Sequence, residues 1–503
     1  MRGTRLRTGT LRMLALAAMA CVVLACVVLA ASTGVAAAVA RASAAAPERT
    51  PAPAAPAADG IHFSFHTVPY ALRDLPQSQR QFYGSGALSR VDTGVHDDQG
   101  VRMRRVGGVL YDFPRGQATY GLLNLSAYRV THDDFFLQRA LAQAQRLVSN
   151  RVVSGDAWFC PNPNHYYRHG LHDEPLSPPW YSALSQGRAL LFFSRLAQVT
   201  GDQEWRDAAD HLFAAFLIKG PTSGPYVTMV DGHGYYWLQE WPWAGMKPDD
   251  TFNGHNSAAF GIFEYWAVTK DPRAQALFRG AAATSQHYAS TFRQPGWMSH
   301  YCLAHLIVNP LYHNIHVHQL LGLYSMTGAV AFARDADLWE ADYPYPATAG
   351  TLRVTPGRYT VVRFGSSGAQ AGSRKVTVSQ ALTCHAGARQ RFRGRGIFIR
   401  ATSGPLSGYW IEEAPGHVYL AGAVIPLDYD PARTLTLAAG RAYTALQLGD
   451  SGAVVARITL PAGAAATLLI NRGAVVNGSP SVRLADGELK GCWIKLQKGV
   501  TLR

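Results

Sequence analysis

Between residues 117 and 332, apolar side chains return at every third or fourth position in a series of long stretches, the spacing of a helix with one buried face. QATYGLLNLSAYRV begins at Gln117, DDFFLQRALAQAQRLVSN at Asp133, SALSQGRALLFFSRLAQVTG at Ser182 and QEWRDAADHLFAAFL at Gln203. HNSAAFGIFEYWAVTK from His255, PRAQALFRGAAATSQHYASTF from Pro272 and IHVHQLLGLYSMTGAVAF from Ile315 continue the series. Asp133, Asp202 and Asp271 stand where helices should start, and acids there favour the positive end of the helix dipole. Loops rich in aromatics, Gly and Pro join these helices in pairs. Such pairing predicts an α/α toroid over residues 60–345, its loops forming a cleft at one end. A plain helical array fits the same spacing.

Past Tyr345 the period drops to two, in short alternating runs such as TLRVTPGRYTVVRF and GAVVARITL, the mark of strands. Two pairs of similar segments lie one period of 83 apart: TLRVTPGR at Thr351 with TLTLAAGR at Thr434, and GPLSGYWI at Gly404 with GELKGCWI at Gly487. A repeated period signals duplication. The chain is therefore expected to be multidomain, α plus β, with a helical domain followed by two repeated all-β modules at 346–428 and 429–503. Trp410 and Trp493, one period apart, read as packing anchors.

The start of the chain has another character. Arg2, Arg5, Arg7 and Arg12 precede an uncharged apolar run from Met13 to Ala40. Residues 1–44 read as a secretory signal peptide, cut after Ala42 or Ala44, or as an uncleaved signal anchor. Residues 45–59, including ERTPAPAAPAAD, form a Pro/Ala linker. Export of the remainder follows from either reading, as a secreted chain or one anchored with its catalytic domain outside.

The net charge of +14 is unevenly placed. Residues 1–44 hold five arginines and no acid, and residues 346–503 hold 19 basic against 7 acidic side chains. The centre keeps 23 basic against 26 acidic, a net of −3. Basicity thus belongs to the C-terminal modules, where it favours contact with an anionic cell wall, membrane surface or polysaccharide. RQRFRGRGIFIR, from Arg389 to Arg400, is a polyanion-binding candidate there or else a solvated strand face. An exported chain without a nucleic-acid-binding motif argues against nucleic acid as partner. Cys160, Cys302, Cys384 and Cys492 follow the leader, and pairing outside the cell as Cys160–Cys302 and Cys384–Cys492 would keep each bond within one region. No CxxC or HExxH spacing occurs, so no motif supports a zinc site.

Candidate chemistry concentrates in YCLAHLIVNPLYHNIHVHQL, residues 301–320. Tyr301 and Tyr312 can donate or accept protons, and His305, His313, His316 and His318 can titrate near neutrality. A half-buried helix face would account for the same histidines. WYSALSQGRA places Tyr181 and Gln186 at a helix entrance, YYWLQEWPW sets Glu240 among five aromatics, and DTFNGHNS brings Asn253, His255 and Asn256 to another helix start. Rings beside amides suit a saccharide, whose CH faces stack while its hydroxyls need fixed partners. A carboxylate hemmed by rings should lose hydration and gain a raised pKa, as a general acid or base requires. Pairing with Arg188 or Arg195 would instead make Glu240 structural.

Together, NPLYHNIHVHQL, WLQEWP, FNG and WYSALSQG resemble the C-terminal catalytic domain of D-glucuronyl C5-epimerases, over about Pro178 to Ala331. The resemblance implies an incomplete α/α toroid and a polysaccharide uronate C5-epimerase converting glucuronate to iduronate without cofactor or metal. It implies Glu240, Tyr301 and Tyr312 as catalytic residues. Tyr181, Gln186, Trp241, Asn253, His305, His313 and His316 are the expected substrate-binding residues, and a uronate-containing anionic polysaccharide the partner. Trp241 stands where animal enzymes have Tyr, Cys302 where the pattern has Asp, and Ala304 where it has Arg. A polysaccharide lyase acting through the same C5 carbanion is one alternative reading. A non-catalytic glycan-binding or wall-associated protein is the other.

Overall fold

A computed structural model describes residues 59–82, 89–242, 247–346 and 349–503. The leader, most of the linker and Trp243 lie outside the described residues. Among the described residues no helix is long and apolar enough to cross a membrane.

Eight α-helices occur among the described residues: α1 (Pro114–Thr131), α2 (Asp134–Ser149), α3 (Ala183–Thr200), α4 (Gln203–Ala214), α5 (Phe252–Thr269), α6 (Pro272–Phe292), α7 (Pro310–Thr327) and α8 (Val330–Asp342). Asp133 caps α2 by accepting from Phe135 N at 3.1 Å, and Asp271 caps α6 by accepting from Arg273 N at 2.7 Å. Asp202 occupies the cap position of α4 but its side chain makes no cap bond. The expected helix from Ile315 to Phe332 divides. Gly328 adopts φ 65°, where a side chain would be strained, and a new helix starts at Val330.

Odd-numbered helices pack side by side in chain order, α1 on α3, α3 on α5 and α5 on α7. Each is covered by the even-numbered helix that follows it. The inner position explains why α3 is buried without a break from Ala183 to Ala197, and α5 from Phe252 to Ala267 except at Ser257. Glycines let α3 and α5 approach backbone to backbone: a Cβ on Gly187 would lie 2.5 Å from Ala258 Cα, and one on Gly261 2.1 Å from Gly187 O. Arg195 of α3 reaches Glu264 of α5 with bonds of 3.0 and 3.1 Å, so two buried charges compensate each other.

The C-terminal strands are β1 (Gly350–Val354), β2 (Gly357–Phe364), β3 (Gln370–Val378), β4 (Leu382–Arg391), β5 (Ile397–Ala401), β6 (Trp410–Glu412) and β7 (Val418–Leu420). Then follow β8 (Ala423–Leu437), β9 (Tyr443–Leu448), β10 (Val454–Leu460), β11 (Ala466–Val476), β12 (Ser479–Leu484), β13 (Trp493–Lys495) and β14 (Val500–Leu502). They build two antiparallel sheets, ordered β3-β2-β6-β5-β4-β1-β7 and β10-β9-β13-β12-β11-β8-β14. The second order repeats the first strand for strand. Trp410 pairs with Val362, and Trp493 with Leu446 in the same place of the second sheet.

Their packing differs. The first sheet has its own core around Leu352, Val361, Ile399 and Ile411. Leu435, Ile470, Val482 and Ile494 of the second join the core of the helical region. Tyr429 and Arg433 of β8 bond Asp337 of α8 at 2.7 and 2.6 Å, anchoring that contact. β8 runs from Ala423 to Leu437, with register shifts against β11 at Val424/Leu427 and Asp428/Arg433. Arg389 is buried against Glu413 at 2.7 Å, which removes the first arginine of the basic run from the surface.

All four cysteines are free, contrary to the expected pairing. Cys160 lies in the helical core and Cys384 in the first sheet's core. Cys492 lies on the helical side and Cys302 in a separate aromatic cluster, so neither expected pair shares a core.

Candidate active site

A hairpin of Thr228–Val230 and Tyr236–Leu238 delivers Gln239 and Glu240 to the start of α3. Gln239 fixes the approach: its carbonyl accepts from Ala183 N at 2.9 Å and its side chain donates to Asp250 at 2.7 Å. Thr251 is the N-cap residue of α5, and Phe252 N donates to Tyr301 O at 3.1 Å. A bridge of Thr251 with Cys302 and another of His300 with Val308 close the loop carrying Tyr301. Asn309 then caps α7, accepting from Leu311 N at 2.8 Å, and puts Tyr312 in the first turn.

These segments converge. The Tyr301 hydroxyl donates to Glu240 Oε2 at 3.0 Å, and Thr251 Oγ1 donates to the same oxygen at 3.1 Å. A Cβ on Gly254 would sit 2.5 Å from that oxygen, so only glycine leaves the carboxylate its room. The Tyr312 ring lies 4.3 Å from that of Tyr301, tilted by 55°. Trp241 lies 6.0 Å from Tyr301, and Tyr166 stacks between Trp180 at 5.5 Å and Trp241 at 6.1 Å. Leu176, Ile307 and Cys302 fill in the cluster.

Burial sets the electrostatics. It lifts the Glu240 carboxyl to about 7, although the charge of Arg115 and the bonds from Tyr301 and Thr251 pull the other way. Burial, then the Glu240 charge, pushes the Tyr301 phenol well above its ordinary value. Burial likewise takes Tyr166 to about 12. Near neutrality the carboxyl is thus poised to give or take a proton while Tyr301 and Tyr166 stay neutral. Arg115 in the first turn of α1, Ala183 of α3, Thr251 before α5 and Tyr312 of α7 mark helix N-terminal ends that serve this site. Their partial positive charges favour an anion.

Beside Tyr301 lies a second polar group. Asp249 accepts from or faces His169 Nε2 at 2.8 Å through one oxygen and His305 Nδ1 at 2.8 Å through the other. His305 Nε2 lies 2.9 Å from Glu174 Oε1. The Arg168 guanidinium bonded to Glu174 holds that carboxyl at about 2, with help from His305. Cys302 Sγ is 3.8 Å from His169 Nε2 and 3.7 Å from His305 Nδ1.

The remaining residues singled out from sequence sit elsewhere or serve other ends. Gln186 bonds the backbone of Cys160, Trp158 and Leu212, stitching α3 to its neighbours. Tyr181 packs edge-on to Phe159. His313 is fully engaged by Ser299 and the Trp339 carbonyl, and burial brings it down to about 4. His316 shares Ser299 and packs on Phe252 and Trp339, its pKa pushed well down by burial. His255 bonds Leu238 N and the Ala281 carbonyl in the core. Asn253 is buried at the start of α5, with no hydrogen-bond partner for Oδ1 among the described residues. Arg195 pairs with Glu264, and Arg188 bonds Thr119 and stacks on Phe82, while the charge of Arg115 is the strongest pull toward an ionised Glu240. Sequence reasoning missed Arg115, Tyr166, His169, Glu174, Asp249 and Thr251. Tyr166 is a strand residue and the others are loop or helix-end residues, and the meaning of each comes from what lies beside it.

Residues 156–341 match the family model described as D-glucuronyl C5-epimerase C-terminus, which supports the C5-epimerase family and extends the motif resemblance at both ends. No curated protein matches the chain. Among solved structures, similarity is found to a GH76 α-mannanase of Bacteroides thetaiotaomicron, at 10% identity and TM-score 0.34, over 55% of this chain and 66% of that one. An unsaturated glucuronyl hydrolase from Streptococcus agalactiae matches at 14% identity and TM-score 0.32, over 45% of this chain and 58% of its own. A D-mannose isomerase matches at 12% identity and TM-score 0.35, over 48% and 63%. The chain spans between 58% and 66% of the length of the first such structures.

Proposed function

We propose that the protein is a polysaccharide uronate C5-epimerase whose helical region is an incomplete α/α toroid. Glu240, Tyr301 and Tyr312 would be its proton-transfer groups. The observation that carries the reading is the buried Tyr301–Glu240 hydrogen bond, lying within the family-matched stretch, with the Tyr312 ring against that of Tyr301.

H5 of a uronate is α to a carboxylate and weakly acidic. Removing it leaves an electron pair that spreads into the carboxylate as an enediolate, and a proton returned to the opposite face inverts C5. A carboxyl near 7 is matched to abstracting such a proton at neutral pH. In this reading Glu240 takes H5 while the Tyr301 hydroxyl orients it, and Tyr312 returns a proton from the far side. The charge then building on the sugar is favoured by Arg115 and by the inner helix ends. Arg115 also offers the positive charge that Ala304 lacks. Trp241, Tyr166 and Trp180 present rings for sugar stacking, and Asn253 and His305 would supply polar contacts to the sugar. Export, and contact with an anionic wall or membrane through the basic modules, belong to the same proposal.

Heparosan incubated with the protein in deuterated water tests it. Deuterium at C5 together with iduronate signals is the expected result, the iduronate signals being lost in Tyr312→Phe. Ultraviolet absorbance from a 4,5-double bond would mark a lyase instead. No exchange into any uronate polymer would sink the reading.

A further inference from the structure

We propose that His169, Asp249, Cys302 and His305 form a binding site for one divalent cation of the zinc type, next to Tyr301 along the chain. Four donor atoms, one from each side chain, lie within 4.8 Å of one another. Three separate segments supply them: the turn after Tyr167, the approach to α5 and the loop between α6 and α7.

The distances suit a four-coordinate ion. Bonds of about 2.3 Å to sulfur and about 2.0 Å to nitrogen on a tetrahedron require a sulfur–nitrogen separation of about 3.6 Å. Cys302 Sγ stands 3.8 Å from His169 Nε2 and 3.7 Å from His305 Nδ1. The two histidine–Asp249 contacts of 2.8 Å are ordinary hydrogen bonds, shorter than the tetrahedral edge of about 3.3 Å. The carboxylate would therefore withdraw by roughly half an ångström when an ion enters, and the Cys302 thiol proton would pass to solvent.

Donor chemistry points the same way. One thiolate, two imidazoles and one carboxylate form a borderline-soft set that suits zinc over magnesium or calcium. Glu174, held by the buried Arg168, bonds the ring nitrogen of His305 that faces away from Cys302, the outer carboxylate that orients a metal-bound histidine. Asp249 and Cys302 are fully buried while His169 and His305 are partly exposed, which leaves an entry side.

Such an ion would tie together both donors to Glu240. Cys302 follows Tyr301 directly, Asp249 precedes Thr251 by two residues, and Thr251 bridges Cys302. The site is thus a positioning device for the reacting carboxyl. Its existence does not depend on what the substrate is.

Cobalt(II) added to chelator-stripped protein without a polyhistidine tag provides the test. The expected result is one ion per chain, visible bands of tetrahedral intensity and a thiolate-to-cobalt charge-transfer band that Cys302→Ser abolishes. His169→Gln, the second variant should Cys302→Ser not fold, is expected to weaken cobalt binding at least tenfold. A wild-type spectrum without the charge-transfer band would mean a plain histidine–carboxylate hydrogen-bond network and overturn the site. So would a band that survives Cys302→Ser, or unchanged affinity in His169→Gln. Binding is read from the spectrum, so a failed epimerase assay and a failed metal site are told apart.

Discussion

Tyr301 gives its hydroxyl hydrogen bond to Glu240 Oε2 across 3.0 Å, although 61 positions separate the two residues. That bond stabilises the carboxylate against burial, which works in the opposite direction and dominates. Tyr301→Phe removes it, so Glu240 should hold its proton to higher pH. The acidic limb of the kcat/KM profile is expected to move up by roughly one unit, since a hydrogen bond to a charged group is worth about 1.5–3 kcal/mol before compensation. A limb that stays in place while activity falls would mean that Tyr301 does not act through Glu240.

Glu240 also links stability to pH. Its folded pKa of about 7 lies above the unfolded value near 4.5, so the folded state binds the proton more tightly. That contribution is fully present below the unfolded pKa and is lost as pH rises through about 7. Glu240→Gln keeps the shape without the charge. It should therefore melt higher than the wild type at pH 8, by up to about 3 kcal/mol, and differ little at pH 4. Thermal melts of both proteins across this range measure the difference, and equal curves would contradict a buried, ionising Glu240.

Gly254 faces the same carboxylate. An added methyl would meet Glu240 Oε2 and Thr251 Oγ1, each at 2.5 Å, and force the carboxylate aside. Misplacement on that scale costs a catalytic group on the order of a hundredfold. Gly254→Ala should lose about that much kcat with its far-ultraviolet circular dichroism unchanged. Full activity would show that the carboxylate position does not matter.

Glu264→Ala would leave Arg195 buried without its carboxylate between α3 and α5. Breaking a buried pair by removing one partner costs about 3–5 kcal/mol. Urea unfolding should show a loss of that size, and a change below about 1 kcal/mol would place the pair in solvent.

Cys160, Cys302, Cys384 and Cys492 should all react with an alkylating agent in denatured, unreduced protein, because none is bonded to another. Peptide mass spectrometry after alkylation reads each one. A disulfide-linked peptide would contradict the separate placement of the four side chains.

The period of three to four marked out α1 to α6 closely, because one buried face per helix is a local requirement. It ran α7 into α8, since the apolar run continues through Gly328 and hydropathy is blind to a left-handed backbone angle. Duplication, visible as one period of 83, reappears as an identical strand order, although only the second sheet shares the helical core. Of the crowded segment, the sequence put forward Tyr301 and Tyr312 by residue type and by resemblance, and the fold brings their rings together. Sequence alone offered no means to separate His305, beside Asp249 and Glu174, from His313 and His316, which serve the core. Cysteine pairing and the gathering of His169, Asp249, Cys302 and His305 likewise depend on which segments meet. Spacing along a chain encodes the face of one element. The stacking of inner helices chooses which distant side chains share a dry space, and burial there turns an ordinary glutamate into one poised near neutrality.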